Sequence, residues 1–255
     1  MNNIEWLNAL ETPFLLIDEF RFQRNIDRLY QRTEALGSRV RPHLKTLRSI
    51  EAGRYLLKDT NSPATVSTLA EAEAFAAAGY TNLLYAVGIA PHKLPRIANL
   101  IRNGVNIHIL LDSAEQAQAV LDFARVNSVT FSVFIENRLR RASRRHPPES
   151  DALLALAQRI DGNGATLTGL LAHAGESYAC RTDEAIRAAA RAECKAINTA
   201  GQRVRALGIA CPVLSVGATP TAHFAEDLTG ITEVRAGVFT TFESGDEKCR
   251  GVHIG

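Results

Sequence analysis

The chain has 255 residues, of which 46% are hydrophobic and 22% charged. This is an ordinary composition for a globular protein and excludes the disordered and fibrous classes. The formal net charge is only +2, with 29 basic and 27 acidic side chains, which argues against a nucleic-acid-binding protein. The N-terminus has acids and no uninterrupted apolar run, so we expect neither a signal peptide nor a membrane anchor and predict a cytoplasmic protein.

Helical and apolar segments alternate along the chain. An amphipathic helix is predicted over residues 18–36, and the longest helical stretch over 183–207. Eight short apolar runs are typical of strands that are covered on both faces. They lie at 38–44, 63–69, 82–88, 106–112, 130–136, 166–172, 211–217 and 233–239.

The segments between these strands carry helix start signals. Thr68 with Glu71 fits the capping box, in which each side chain bonds the backbone N–H of the other residue, and Ser113 with Gln116 fits the same pattern. The remaining signals are two prolines that suit a first helical turn, Pro91 and Pro148.

The alternation predicts an α/β fold. Eight strand and helix units in this length fit a (β/α)8 TIM-type barrel better than an open sheet, which usually has fewer strands and a glycine-rich first turn. No linker or repeat divides the sequence, so we predict one barrel domain over residues 1–255 with the extra N-terminal helix. Barrel enzymes build their sites where strands end.

Lys45 lies at such an end, in RPHLKT, residues 41–46. A partly desolvated lysine near other cations can lose its proton and attack a carbonyl to form a Schiff base. Arg41, His43 and Arg48 supply nearby basic groups. The alternative is a solvated lysine at a strand end.

A second candidate is SVGATPT, residues 215–221, in which the seventh strand ends at Gly217 and a short helix starts. Backbone N–H groups at a helix start attract anions, and glycine lets an anion approach closely. Barrels often bind phosphate after strand seven. This position favours a phosphate cradle over an ordinary helix cap.

A third candidate is LLAHAGESY, in which His173 ends the sixth strand and Tyr178 follows. A neutral imidazole there could stack on an aromatic ligand or transfer a proton, and the tyrosine hydroxyl could bind phosphate or substrate. A structural histidine that closes the strand is the alternative. The basic run at 138–146 could steer an anion to the same mouth, or it is simply solvated.

In this order, RPHLKT, STLAEAEAF, HAGESY, SVGATPT and EVRAGVF resemble the D-threonine aldolase and D-serine dehydratase family. Its members have the alanine-racemase-like barrel that binds pyridoxal phosphate. The resemblance covers roughly residues 10–240. It implies a pyridoxal-phosphate-dependent lyase that acts on small β-hydroxy D-amino acids through a Schiff base on Lys45. The charge and the N-terminal sequence predict neither nucleic acid nor membrane as a partner.

The same resemblance assigns further site residues. His173 would pack against the cofactor ring, Tyr178 would contact phosphate or substrate, and Arg141 would help to position the cofactor. The residues implied for the phosphate loop are Ser215, Gly217, Ala218 and Thr219.

Family members continue into a C-terminal β domain, which carries a zinc site in the dehydratases and helps to form a homodimer. This sequence has no match to that domain, and Cys249 with His253 makes only two potential ligands. A divalent metal is thus expected from the family, without a ligand set here. The alternatives are a barrel that binds the cofactor without catalysis, an amino-acid racemase, and a cofactor-free barrel aldolase that uses Lys45.

Overall fold

The computed structural model describes residues 10–12, 14, 16–137 and 150–241. Eight helices alternate with eight strands in this part of the chain. The helices are α1 (Glu19–Ala35), α2 (Ile50–Leu56), α3 (Leu69–Ala77), α4 (Leu94–Arg102), α5 (Ala114–Asn127), α6 (Asp151–Ile160), α7 (Asp183–Ala206) and α8 (Thr219–Phe224). The strands are β1 (Arg39–Val40), β2 (Ala64–Val66), β3 (Asn82–Gly88), β4 (Asn106–Leu111), β5 (Phe131–Glu136), β6 (Ala165–Leu171), β7 (Val213–Val216) and β8 (Glu233–Val234).

All eight strands form one parallel sheet in the order β1-β8-β7-β6-β5-β4-β3-β2. A parallel bridge between His43 and Thr65 also joins the end of β1 to β2, so the two ends of this order meet. The α/β class with a curled, eight-stranded parallel sheet is therefore confirmed. The extent of the domain over residues 1–255 stays a prediction.

Side chains on the sheet separate into two apolar groups because neighbouring residues of a strand point to opposite faces. The larger group packs between the sheet and the helices, and a smaller cluster lies apart from it on the other face. The residues of the smaller cluster are Leu84, Leu110, Phe134 and Leu171. The inner face of the curled sheet is therefore a packed core, which favours a ligand site beyond the strand ends.

Buried charges complete this inner face. Arg41 donates from Nε to both carboxylate oxygens of Glu233, each at 2.9 Å, and from Nη1 to Asn82 Oδ1. Burial acts to raise the pKa of Glu233, but Arg41, Ser215 and Arg235 lower it overall. The carboxylate is thus ionised and balances the guanidinium of Arg41.

The helix caps follow the predicted signals with one exception. Thr68 and Glu71 form the complete capping box of α3. The Ser113 hydroxyl caps α5, but Gln116 bonds the N–H of Asp112 instead of that of Ser113, so the second half of the box is wrong. A 3-10 turn begins at Pro91, as predicted, while Pro148 lies outside the described residues.

The predicted strands at 38–44, 63–69 and 233–239 are too long. β1 ends at Val40, although Arg41 and His43 still donate their N–H groups to the end of β8, and the chain turns into a 3-10 helix at Leu44–Thr46. Leu69 starts α3, and β8 ends at Val234. Among the described helices, none has the length and hydropathy needed to cross a bilayer.

Candidate active site

The three sequence candidates lie where neighbouring strands end. Lys45 is in the 3-10 turn after β1, His173 follows β6 by two residues, and Gly217 follows β7 directly. In a parallel sheet the carboxyl ends of all strands share one edge. The three residues therefore lie at the same edge of the sheet, the one formed by the carboxyl ends of the strands.

His173 and Gly217 are in direct contact. The Nδ1 atom of His173 is hydrogen-bonded to the carbonyl oxygen of Gly217. A carbonyl only accepts, so Nδ1 carries the proton and Nε2 of the neutral ring is an acceptor. Burial lowers the pKa of His173, with further lowering from Arg235 and Lys45, while the bond to Gly217 opposes it. The imidazole is thus neutral at pH 7.

His43 brings the amine of Lys45 into the same group of charges. Burial, together with the charges of Lys45, Arg235 and His173, lowers the pKa of His43 to about 3. The Nδ1 atom of His43 accepts a long hydrogen bond, 3.5 Å, from the backbone N–H of Lys45. Lys45 itself is exposed, not partly desolvated as the sequence suggested, and its charge reaches both imidazoles.

The two arginines near Lys45 in sequence form ion pairs with carboxylates and do not act as free cations beside it. Arg41 points along the inner face of the sheet to Glu233, and Arg48 pairs with Glu71, Nε to Oε1 at 3.2 Å. Their charges are balanced by carboxylates. Arg48 also has a positive φ of 48°, which is uncommon for a residue other than glycine.

Arg235 is the cation at the mouth that the sequence reasoning missed. It follows β8, is buried, and donates from Nη1 to Ser215 Oγ and from Nη2 to Ala172 O. Burial lowers its pKa to about 10, partly offset by the charges of Glu233 and Glu193. The guanidinium therefore stays charged at pH 7, and its charge adds to the effect of burial in lowering the pKa of His43 and His173.

The loop after β7 leaves no space for a side chain at Gly217. Its φ is +148°, and a Cβ atom there would lie 1.9 Å from the carbonyl oxygen of Arg235. Next in the chain, Thr219 donates its backbone N–H to the hydroxyl of Tyr178 at 3.2 Å. The Oγ1 atom of Thr219 is buried and has no hydrogen-bond partner in the described structure.

The other predicted phosphate-loop residues are engaged in the protein. The Ser215 hydroxyl, fully buried, donates to Glu233 Oε1 at 2.8 Å and accepts from Arg235. Ala218 is buried and its N–H bonds the hydroxyl of Thr221 at 3.3 Å. Arg141 lies outside the described residues, so its role stays a prediction.

The polar groups at this mouth fit pyridoxal phosphate. Thr219 and Tyr178 offer two hydroxyls that can donate to phosphate oxygens, and the backbone N–H of Thr219 holds the Tyr178 hydroxyl in place beside a glycine that permits close approach. Thr46 and Thr65 add two buried hydroxyl oxygens without a partner among the described residues, next to Lys45 and His43. A buried polar atom without a partner is costly and is often completed by a ligand.

A metal site is not formed by the residues that the structure describes. No group of three or more His, Cys, Asp or Glu side chains there is placed to hold an ion. Cys180, Cys194 and Cys211 are free thiols, and burial raises the pKa of Cys194 to about 12. Cys249 and His253 lie outside the described residues.

Comparisons with known proteins agree with this geometry. Residues 17–244 match the family described as the alanine racemase N-terminal domain. A D-threo-3-hydroxyaspartate dehydratase from Delftia sp. (strain HT23) is 44% identical over 238 residues, which cover 93% of this chain and 63% of that protein. A D-serine dehydratase from Dictyostelium discoideum is 28% identical over 277 residues, with 99% and 70% covered.

The fold is also similar to a solved structure. An alanine racemase-like protein from Idiomarina loihiensis superposes with a TM-score of 0.89 at 53% identity, covering 94% of this chain and 63% of that one. This chain thus spans less than two thirds of the length of the Delftia enzyme and of this solved chain.

Proposed function

The chain belongs to the family of the alanine racemase N-terminal domain, and from this premise we propose that it is a pyridoxal-phosphate-dependent lyase for β-hydroxy D-amino acids. Dehydratases and a D-threonine aldolase are among its relatives, which confirms the family resemblance in the sequence. The observation that carries the proposal is that Lys45, His173 and Gly217 follow three strands at one edge of the sheet, where the ring of His173 bonds Gly217.

Each residue has a distinct role in this proposal. Lys45 would hold the cofactor through its amine, and His173 would contact the cofactor ring. Tyr178, Gly217, Ala218 and Thr219 would hold the phosphate, with Ser215 supporting the loop. When bound, pyridoxal phosphate supplies an electron sink that allows a bond at the substrate α-carbon to break.

The proton donors and acceptors at this edge of the sheet support the same reaction class. Lys45 can carry a proton at Nζ, and the unprotonated Nε2 of His173 can accept one. The charge of Arg235 favours the neutral form of both nearby imidazoles. The chain therefore has a donor and an acceptor of protons at one strand-end edge, as an elimination or a retro-aldol cleavage requires.

The test of cofactor binding is spectroscopic. We expect pyridoxal phosphate to give the purified chain a visible absorbance band, and borohydride to fix the cofactor on Lys45, located by peptide mass. Lys45→Ala should lose both signals, while Lys58→Ala, at an exposed lysine in the loop between α2 and β2, where the strands begin, should keep them. A band of equal strength in Lys45→Ala would refute the assignment.

The test of turnover is separate. D-serine should yield pyruvate and ammonia in a dehydration, D-threonine should yield glycine and acetaldehyde in an aldol cleavage, and D-threo-3-hydroxyaspartate should yield oxaloacetate and ammonia. Cofactor binding without any of these products would select the non-catalytic barrel instead. Location in the cytoplasm and assembly as a homodimer stay predictions from the sequence.

A further inference from the structure

A buried carboxylate on α7 links the two loops of the candidate site. Glu193 is 1% exposed, and its Oε1 accepts hydrogen bonds from the backbone N–H groups of Ala174 and Gly217, both at 3.0 Å. Its Oε2 lies 3.0 Å from the hydroxyl oxygen of Thr221. Ala174 follows His173 directly. One side chain therefore holds the backbone of the loop after β6 and of the loop after β7.

These contacts close a ring around the site. Gly217 is fixed at its N–H by Glu193 and at its carbonyl by the imidazole of His173. Ala174 follows His173 in the chain, and its backbone N–H bonds Glu193, which closes the ring of contacts. Every member of the ring is thus held by the next, so the carboxylate limits how far His173 can move relative to Gly217.

Packing does not explain a carboxylate at this position. Ala190, Ile197, Ala200 and Val204 are buried on the same helix and supply its apolar contact with the sheet. Burial raises the pKa of Glu193, which marks the free-energy cost of placing a carboxylate there. The compensation comes from satisfying two buried N–H groups that would otherwise be unpaired.

We propose that Glu193 is a positioning residue, which sets the placement of His173 relative to the loop at 217–221 and thereby the affinity for pyridoxal phosphate. The proposal rests on the proposed function of the same site. It assigns the effect to the acceptor geometry of Oε1, not to the charge. Glu193 itself would not contact the cofactor, since its hydrogen bonds are all made within the protein.

Glutamine separates geometry from charge. In Glu193→Gln the Oε1 atom still accepts from both N–H groups, and the new Nε2 can donate to the oxygen of Thr221. The Thr221 hydroxyl can in turn donate to Ala218 O, which is 3.2 Å away. Glu193→Gln should thus keep the ring intact, whereas Glu193→Ala leaves both N–H groups unpaired.

Val204→Ala provides the matched control. Val204 is fully buried on the same face of α7, eleven residues and about three turns further from the mouth. Its truncation costs stability through lost packing and touches neither loop. An effect of Glu193→Ala that exceeds that of Val204→Ala therefore reports on the loops and not on general destabilisation.

The first measurement is the Kd for pyridoxal phosphate, titrated by visible absorbance at a temperature where all variants are folded. We expect Glu193→Ala to raise the Kd about 10- to 100-fold, as loss of an outer-shell partner does in metal sites. Glu193→Gln and Val204→Ala should stay close to the wild-type Kd. If Glu193→Ala does not fold, Glu193→Asp, whose shorter side chain cannot span the same groups, should raise the Kd in the same direction.

The second measurement needs no cofactor. Hydrogen exchange in the peptides that contain Ala174 and Gly217 should accelerate in Glu193→Ala, and not in Val204→Ala or Glu193→Gln. Wild-type affinity or unchanged exchange in Glu193→Ala would overturn the proposal, as would a Glu193→Gln variant as weak as Glu193→Ala. If the wild-type chain binds no cofactor, the proposed function fails, and the exchange result still decides whether Glu193 positions the loops.

Discussion

Replacing Gly217 with alanine should disrupt both the fold at the mouth and cofactor binding. A Cβ atom at this residue would lie 1.9 Å from the carbonyl oxygen of Arg235 and 2.7 Å from its backbone N and C. An ordinary non-bonded separation is about 3.5 Å, so the two backbones must separate by roughly 1.5 Å. The hydrogen bond from Arg235 N to Val216 O, now 2.7 Å, would be lost.

The expected cost of Gly217→Ala has two parts. Overpacking in a dense region costs about 1–3 kcal/mol. A residue with a Cβ held in a sparsely populated backbone region costs about 1–3 kcal/mol more. The free energy of unfolding should therefore fall by about 2–6 kcal/mol, a large fraction of the about 5–15 kcal/mol that a folded domain usually has.

Gly208→Ala isolates the backbone contribution. Gly208 has a φ of +78° and no atom within 4 Å of an added Cβ, so its replacement should cost only about 1 kcal/mol. Urea denaturation of both variants measures the difference, and pyridoxal phosphate titration shows whether the cradle survives. If Gly217→Ala is as stable as Gly208→Ala and binds the cofactor like the wild type, the steric reasoning is refuted.

Three further predictions concern the frame around the site. Glu233→Leu leaves the Arg41 guanidinium buried without its carboxylate and should cost about 3–5 kcal/mol; adding Arg41→Leu should recover much of this, and no recovery in urea denaturation would argue against the pair. Thr68→Ala removes the cap of α3 and should cost about 1 kcal/mol by the same assay, a loss that an unchanged midpoint would contradict. Burial and nearby cations lower the pKa of His43 to about 3 and that of His108 to about 4. Below a pH of about 6.5 both histidines are therefore protonated in the unfolded chain but still neutral in the folded one. Stability should thus fall as the pH drops from about 6.5 towards 4, by up to about 1.4 kcal/mol per pH unit for each histidine, and a flat thermal midpoint between pH 7 and 5 would contradict this.

Local signals predicted the helices well where apolar residues recur with a constant helical spacing. The helix predicted at 18–36 is observed at Glu19–Ala35, and the one at 183–207 at Asp183–Ala206. Strand ends were less predictable because apolar runs continue past the last ladder bond. In the first strand, hydrogen bonds to the end of β8 continue at Arg41 and His43, beyond the last strand residue, until the chain turns at Leu44.

The candidate site was predictable only in part. Lys45, His173 and Gly217 stand out because each follows an apolar run, and the parallel fold brings those ends to one edge. Arg235 lies within an apolar run and Glu193 within a helical pattern, so neither stands out in the sequence. Their roles appear only when the tertiary structure buries them. For Glu193 one signal existed: it lies on the apolar face of α7, three residues after Ala190 and four before Ile197, where an acid is unexpected.

Burial and a fixed arrangement of buried charges together keep His173 in its neutral form. An ion pair in a protein core is seldom more stable than apolar residues of the same volume, so Arg41 and Glu233 are not needed for stability alone. Through the hydroxyl of Ser215 they hold the guanidinium of Arg235 below the mouth. Burial is the main cause that lowers the pKa of His173, and this fixed positive charge, together with Lys45, lowers it further. The imidazole therefore keeps Nδ1 as a donor to Gly217 and leaves Nε2 as an acceptor, which a doubly protonated ring could not provide.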